Sequence, residues 1–210
     1  APALAHASSP TPSAAYRLDW RLAGRLSGEL FLFEAGASLV VLNLRAARVR
    51  IWYERILRRF ADNAPVAQQL LLPVPLELDP LASSVLREGL ATLTRAGFQI
   101  EEFGRNFFRI LAIPDWLGDN DTAGQVRDII ASLGRHTGEF QRKNMAHELL
   151  AKLAGERAAG VGNAKETVSD ALATDTVRDL FLCGQPTVTP AGKPVFFELT
   201  RAEITRRFGG

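Results

Sequence analysis

Thr189-Pro190-Ala191-Gly192-Lys193-Pro194, continued by Val195-Phe196-Phe197-Glu198-Leu199, is the stretch on which the fold turns. The apolar run predicts a strand from Lys193 to Leu199. Thr200-Arg201-Ala202-Glu203 follows as a capping box. The Thr200 hydroxyl accepts the amide of Glu203, and the Glu203 carboxylate reaches back to the amide of Thr200. Such a cap contributes about 1 kcal/mol. It starts a short last helix that Gly209 terminates.

Upstream, Arg25 to Phe33 and Ser38 to Leu42 are apolar-rich and flank Glu34-Ala35-Gly36-Ala37, a hairpin signal. Val49, Trp52, Tyr53, Ile56, Leu57 and Phe60 then recur with the helical period, predicting a helix from Arg45 to Phe60. Asp62-Asn63-Ala64-Pro65 ends it. Leu70 to Leu78 reads as a strand. Pro73 and Pro75 confine it to an edge or a strand start, because each removes a ladder donor. Asp79-Pro80 supplies an N-cap and first helical residue, and Gly97 closes that helix. Phe98 to Phe103 and Phe107 to Ile113 flank Gly104-Arg105-Asn106 as a second hairpin, and a helix from Asp121 to Leu133 follows. Phe140 to Ala159 reads as helical, with Met145, Leu149, Leu150 and Leu153 on one face, before Gly160-Val161-Gly162-Asn163 breaks it. Another helical stretch runs from Thr174 to Leu182. Residues 74–135 thus read strand, helix, hairpin, helix, a lobe inserted into a second lobe built from its flanks. The expected class is α+β in two lobes.

With 210 residues and 47% hydrophobic content, the chain can bury a real core. A net charge of +2 and a pI of about 9.0 permit nucleic-acid contact without demanding it. Cys183 is the only cysteine, so no intrachain disulfide and no thiolate cluster for zinc can form, which fits a reducing cytosol. No apolar run approaches a membrane span, and no signal-peptide pattern is visible. Residues 1–15, rich in Ala, Ser and Pro, read as the disordered end of a linker, and the chain as a fragment of a longer protein.

Familiar catalytic constellations do not emerge. His6 falls in the linker stretch, His136 in a loop, and His147 beside Glu148 on a helix without a second histidine four residues on. All three read as surface residues. Ser83, Ser84 and Ser132 lack a nucleophile elbow. Gly160-Val161-Gly162 has no preceding strand and no following Lys-Ser/Thr. Cys183 reads as a buried or half-buried thiol.

The opening stretch resembles a signature of the C-terminal domain of the MutL mismatch repair family, whose nuclease-active members read C-P-H-G-R-P there. Thr189 and Ala191 stand where that signature has its metal-binding Cys and His. A second resemblance runs from Asn43 to Glu54, against the family's metal motif D-Q-H-A-x-x-E-x-x-x-x-E. Asn43, Leu44, Arg45 and Val49 replace its Asp, Gln, His and first Glu, whereas Ala46 and Glu54 remain. A catalytic metal needs about three suitable protein ligands. These residues supply almost none, and Arg45 would repel a cation. A third patch, alanine–cysteine followed by a basic residue, aligns with Ala154-Gly155-Glu156 and also lacks its cysteine. Glu54 alone reads as a solvated residue or an ion-pair partner. Further framework matches are Gly28, Ala46-Ala47, Tyr53-Glu54, Gly97 to Gly104 and Ile113-Pro114.

The resemblance implies an outer dimerisation lobe (16–73 and 136–210), an inserted regulatory lobe (74–135), and a non-catalytic homodimerisation role without metal or other cofactor here. ATP would belong to an absent N-terminal domain. The implied partners are a second copy, the replicative sliding clamp, other mismatch repair proteins and, weakly, DNA, in a bacterial cytoplasm close to the nucleoid and away from membranes. Gln68, Leu71 and Pro73 match the clamp-docking pattern Q-x-x-[L/I]-x-P, in which an extended segment offers one polar anchor and apolar side chains to a pocket. The same Leu70 to Leu72 also reads as strand core. Arg45, Arg48, Arg50, Arg55, Arg58 and Arg59 line one helix, and Arg48, Arg55 and Arg59 are candidate DNA contacts if that face is not simply solvated. A divergent nicking endonuclease would have to draw on Glu54, Asp62, Asp170 and Asp175.

Overall fold

The computed structural model describes residues 19–118, 120–135, 143–160 and 169–209. Its helices and antiparallel sheets make the class α+β. It divides into two compact units, one from the described parts of 1–43 and 196–210, the other from 44–195. The sequence-based lobe borders at 73/74 and 135/136 lie inside the larger unit.

In the smaller unit, Trp20–Ser27 (β1), Leu30–Ala35 (β2), Ser38–Asn43 (β3) and Phe196–Leu199 (β7) form an antiparallel sheet in the order β1-β2-β3-β7. The stretch from Arg25 to Phe33 is therefore two strands rather than one. The chain reverses after Ser27, where Gly28 takes φ +49°, a region that glycine enters without a Cβ clash. The predicted strand at Lys193 begins only at Phe196, because an isolated bridge between Val188 and Pro194 holds the preceding loop.

Pairing of Phe31 with Leu42 and of Phe33 with Val40 puts all four on one sheet face, where all are buried. Trp20 joins them through ring contacts to Phe33 at 5.7 Å and Phe196 at 5.0 Å. The opposite face carries Leu30, Leu32, Leu39, Val41, Phe197 and Leu199. It is apolar yet half open, with Phe197 53% exposed. Helix Arg201–Arg207, numbered α6 here, follows β7 under the predicted capping box, with Thr200 Oγ accepting from Glu203 N at 3.3 Å and Glu203 Oε2 accepting from Thr200 N at 2.8 Å.

The larger unit begins with α1, Leu44–Asp62. Its inward residues Ala47, Ile51, Ile56 and Phe60 are buried, and Trp52, Tyr53 and Leu57 pack at the margin of the same core. Asn63, at φ 51°, terminates it within the predicted segment. Ala67–Glu77 (β4), Gln99–Gly104 (β5) and Phe107–Pro114 (β6) make a second antiparallel sheet in the order β4-β6-β5, so the proline-bearing strand is an edge as expected. Pro80–Arg95 (α2) and Thr122–Arg135 (α3) cover one face of it. Asp79 caps α2, its carboxylate accepting from Ala82 N at 2.8 Å, and Gly97 follows the helix at φ 102°. Leu76, Ile100, Phe108 and Ile110 face Leu86, Leu93, Val126 and Ile129 in one core. Each fully buried side chain of this size stabilises by roughly 1.5–3 kcal/mol.

Lys143–Gly160 (α4) packs along α1. Of the leucines on the predicted face Leu150 is buried, beside Ala146, Ala151, Ala154 and Ala158, whereas Leu149 and Leu153 are only half-buried. The Met145 side chain, residues 136–142 and residues 161–168, including His136, Phe140 and the Val161-Gly162 break, lie outside the described residues, as does the linker stretch with His6. Small side chains let the two backbones approach closely. A Cβ built on Gly155 would lie 2.8 Å from Val49 O and 3.3 Å from Tyr53 N. Helix α5, Asp170–Leu180, starts four residues before the predicted position, because the Ser169 hydroxyl caps it by accepting from Leu172 N at 3.2 Å.

Candidate functional site

Apolar periodicity rotates Arg50 onto the inward side of α1, where it is only 4% exposed. Its Nε donates to Val188 O at 2.6 Å, and its Nη1 lies 3.5 Å from Glu54 Oε1 one turn on. Burying a guanidinium is costly unless it is paired. Glu54 supplies the partner charge and also reaches the loop after α5. Its Oε2 accepts from Gly184 N at 2.7 Å and its Oε1 from Gln185 N at 3.2 Å. Arg58 adds a looser ion pair at 3.9 Å.

These groups line an open cleft of about 570 Å³ with Tyr53, Thr189, Pro190 and Gly192. Thr189 is buried, and its Oγ accepts from Lys193 N at 3.1 Å. Its amide donates to Lys193 O at 2.8 Å, so the hydroxyl serves the turn of its own loop. Ala191 is exposed. Cys183, a buried free thiol, is pushed up to about 11, first by burial and then by the Glu54 charge. The Tyr53 phenol is also raised, by burial and then by Glu148.

Glu54 is therefore neither a lone ligand nor a solvated carboxylate. Both of its oxygens already accept backbone amides and face arginines. Of the other motif positions, Asn43 ends β3 half-buried, Arg45 is exposed in the first turn of α1, and Val49 is half-buried on that helix. At the third patch, a thiol-bearing side chain at Gly155 would collide with the α1 backbone unless the helices separated. Asp175 pairs with Arg178 on its own helix at 3.0 Å, and Asp62 is exposed at the end of α1. Among the described residues, no group of three or more His, Cys, Asp or Glu is placed to hold a metal ion.

The candidate docking motif lies on β4. Its pairing with β6 stops at Gln69–Ala112 and resumes at Val74–Ile110, so four residues, Leu70 to Pro73, stand against the single Leu111. This wide bulge turns the chain outward. Leu71 is fully exposed and Leu72 is 79% exposed, while Leu70 alone packs on the core. Gln68 and Pro73 are exposed too. Leu71 and Leu72 are thus not strand core, which corrects that alternative. The prolines were the available signal, since neither can donate to a ladder.

The arginines of α1 do not form a free stripe. Arg48 Nη2 donates to Ala158 O at 3.3 Å. Arg55 lies 3.7 Å from Asp179 and over the Trp52 ring at 4.6 Å. Arg59 grips Asp115 with two bonds of 2.6 and 2.9 Å. Arg50 is buried, so the expected polar side is largely an internal binding face. His147 departs from the surface reading as well: it stacks on Phe60 at 4.3 Å, with Arg95 Nη1 3.2 Å from its Nε2. Among the described residues no helix is long and apolar enough to cross a membrane.

Residues 23–164 match the family model described as the MutL C terminal dimerisation domain. The chain is 38% identical over 202 residues to the DNA mismatch repair protein MutL of Opitutus terrae, covering 96% of this chain and 32% of that protein. The protein of the same name from Citrifermentans bemidjiense is 31% identical over 203 residues, covering 96% and 31%. That of Akkermansia muciniphila is 32% identical over 186 residues, covering 89% and 29%. The chain thus spans about a third of the length of these curated relatives. With its α+β class and with more than half its length matched, the chain belongs to the family of MutL C-terminal dimerisation domains.

Proposed function

We propose that this chain is a non-catalytic homodimerisation and partner-docking domain of a DNA mismatch repair protein. One observation carries the non-catalytic part: the motif position that keeps a carboxylate, Glu54, engages both oxygens with Gly184, Gln185 and Arg50. Metal coordination there would have to break these bonds and leave Arg50 buried without its counter-charge. The neighbouring motif positions offer Arg45, Val49, Thr189 and Ala191, a poor donor set for a catalytic cation.

The half-open apolar sheet face carrying Leu32 and Phe197 supports self-association, because a second copy would remove it from water. The β4 bulge supports docking on a replicative sliding clamp: Gln68 offers the polar anchor, Leu71 the apolar one, and Pro73 stiffens the segment. In the full protein, a constitutive dimer would hold two ATP-binding modules at high effective concentration. The outer lobe (16–73 and 136–210), which carries Gln68, Leu71 and Pro73, would then assemble and dock, the inserted lobe (74–135) would regulate, and a separate nuclease would cut the strand.

Incubation of the purified chain with supercoiled plasmid and manganese tests the non-catalytic part. No nicking is expected. Nicking that disappears on Glu54→Ala would overturn it.

A further inference from the structure

We propose that α6 and the residue after it form a contact for single-stranded DNA, through Arg201, Arg206, Arg207 and Phe208. The choice of DNA as the polyanion rests on the mismatch repair assignment. The contact itself rests on how α6 is built.

No residue of α6 is buried, although seven residues are too few to hold a helix by themselves. The capping box holds its start, and that same device shapes its charge. Glu203 sits three and four residues before Arg206 and Arg207, the spacing at which a carboxylate neutralises an arginine on a helix. Instead its Oε2 turns back to Thr200 N at 2.8 Å and Thr200 Oγ at 2.7 Å. The arginines depress the Glu203 carboxyl only from a distance, after the hydrogen bonds of Thr200. Among the described residues, Arg201, Arg206 and Arg207 have no ion pair, and all three are exposed. Arg48, Arg55 and Arg59, the DNA candidates suggested by sequence, are bound within the fold.

Cations at a helix C-terminus also complement its dipole, which accounts for Arg206 and Arg207 on their own. Phe208 has no such account. It follows Arg206 and Arg207 directly in sequence and is 88% exposed, a large apolar ring at the end of a helix turn whose arginines are also exposed. Arginines that track phosphates beside an aromatic ring that stacks on a base are the elements of a single-strand contact. Duplex DNA keeps its base faces stacked and would engage the arginines alone.

The test is fluorescence anisotropy with the whole chain, using a labelled oligothymidine of about 30 nucleotides and a mixed-sequence duplex of equal length. The variant Arg201→Ala, Arg206→Ala, Arg207→Ala is expected to lose at least tenfold in affinity at low salt. Its slope of log affinity against log salt should shrink by about two, from roughly 0.7 per single-strand phosphate released. Phe208→Ala should weaken single-strand binding several-fold and leave duplex binding unchanged. The charge-preserving variant with lysine at the three positions should retain most of the affinity. An unchanged slope in the alanine variant, or equal loss in the lysine variant, would overturn the proposal. So would an equal loss on changing Arg48, Arg55 and Arg59 with the α6 arginines intact. The light-scattering mass of each variant separates this result from failure of the dimerisation reading, since loss of DNA contact at unchanged mass concerns α6 alone.

Discussion

The Glu54 cluster and the β4 bulge lie in the same unit and treat their side chains in opposite ways. At Glu54, charged groups that sequence places on a helix surface turn inward and bind a loop. At Leu71 and Leu72, leucines that sequence reads either as strand core or as part of a docking motif turn outward and are exposed. The cluster's charged groups are satisfied within the fold, and the bulge leaves apolar side chains exposed. A motif's residue types therefore do not settle its role: what counts is whether the fold satisfies them internally.

This contrast can be broken most directly at Glu54. Glu54→Ala leaves Arg50 buried without its counter-charge and strips two loop amides, and should cost about 3 kcal/mol in urea unfolding. A loss below about 1 kcal/mol would return Glu54 to the ordinary surface charges.

The thiol under the same loop sharpens the point. Because Cys183 is raised from 9.0 to about 11, its protonated form is the one the fold favours. Its contribution to stability is complete below pH 9 and declines as pH rises through 11. Alkylation at pH 8 should run more than about tenfold slower than for a free thiol. Glu54→Ala should accelerate it by removing the nearby carboxylate and loosening the loop, and equal rates in the two proteins would detach Cys183 from the cluster.

On the other side, Gln68→Ala with Leu71→Ala should weaken binding to a purified sliding clamp by about tenfold, equivalent to about 1.4 kcal/mol. Stability should change by less than about 0.5 kcal/mol, since both positions are exposed. A large stability loss would mean that the bulge is packed in solution.

The smallest effect belongs to the capping box. Thr200→Ala should cost about 1 kcal/mol, read as reduced helicity and lower stability. Glu203 is held below the usual carboxylate range, chiefly by the Thr200 hydroxyl. Its support of α6 is therefore full above its ordinary value of 4.5 and fades as pH falls through the depressed one. Helicity insensitive to acid in wild type would remove the box.

Much of this fold was legible because local chemistry and final structure agree. Asp79-Pro80, Gly97, the Asn106 turn and the Thr200–Glu203 box each encode a boundary within a few residues. The misplaced boundaries follow from signals that act locally against the apolar pattern: Gly28 splits an apolar run, and Ser169 starts α5 early. The site was less legible because its partners are distant in sequence. Nothing near Arg50 or Glu54 announces Val188, Gly184 or Gln185, which lie 130 to 138 residues away. The bulge was half legible, since Pro73 and Pro75 announce a broken ladder but not which leucines it ejects. The α4 seam depends on Gly155 facing α1, and helical periodicity in large apolar residues points instead to Leu149 and Leu153.

Assembly is the central claim, and solution mass is its most direct measure. Light scattering after size exclusion, over a wide dilution range, should give a stable species of twice 22.9 kDa. Phe197→Asp on the half-open sheet face should reduce it to one chain without unfolding it. A wild-type chain that stays at 22.9 kDa at every concentration would contradict the account.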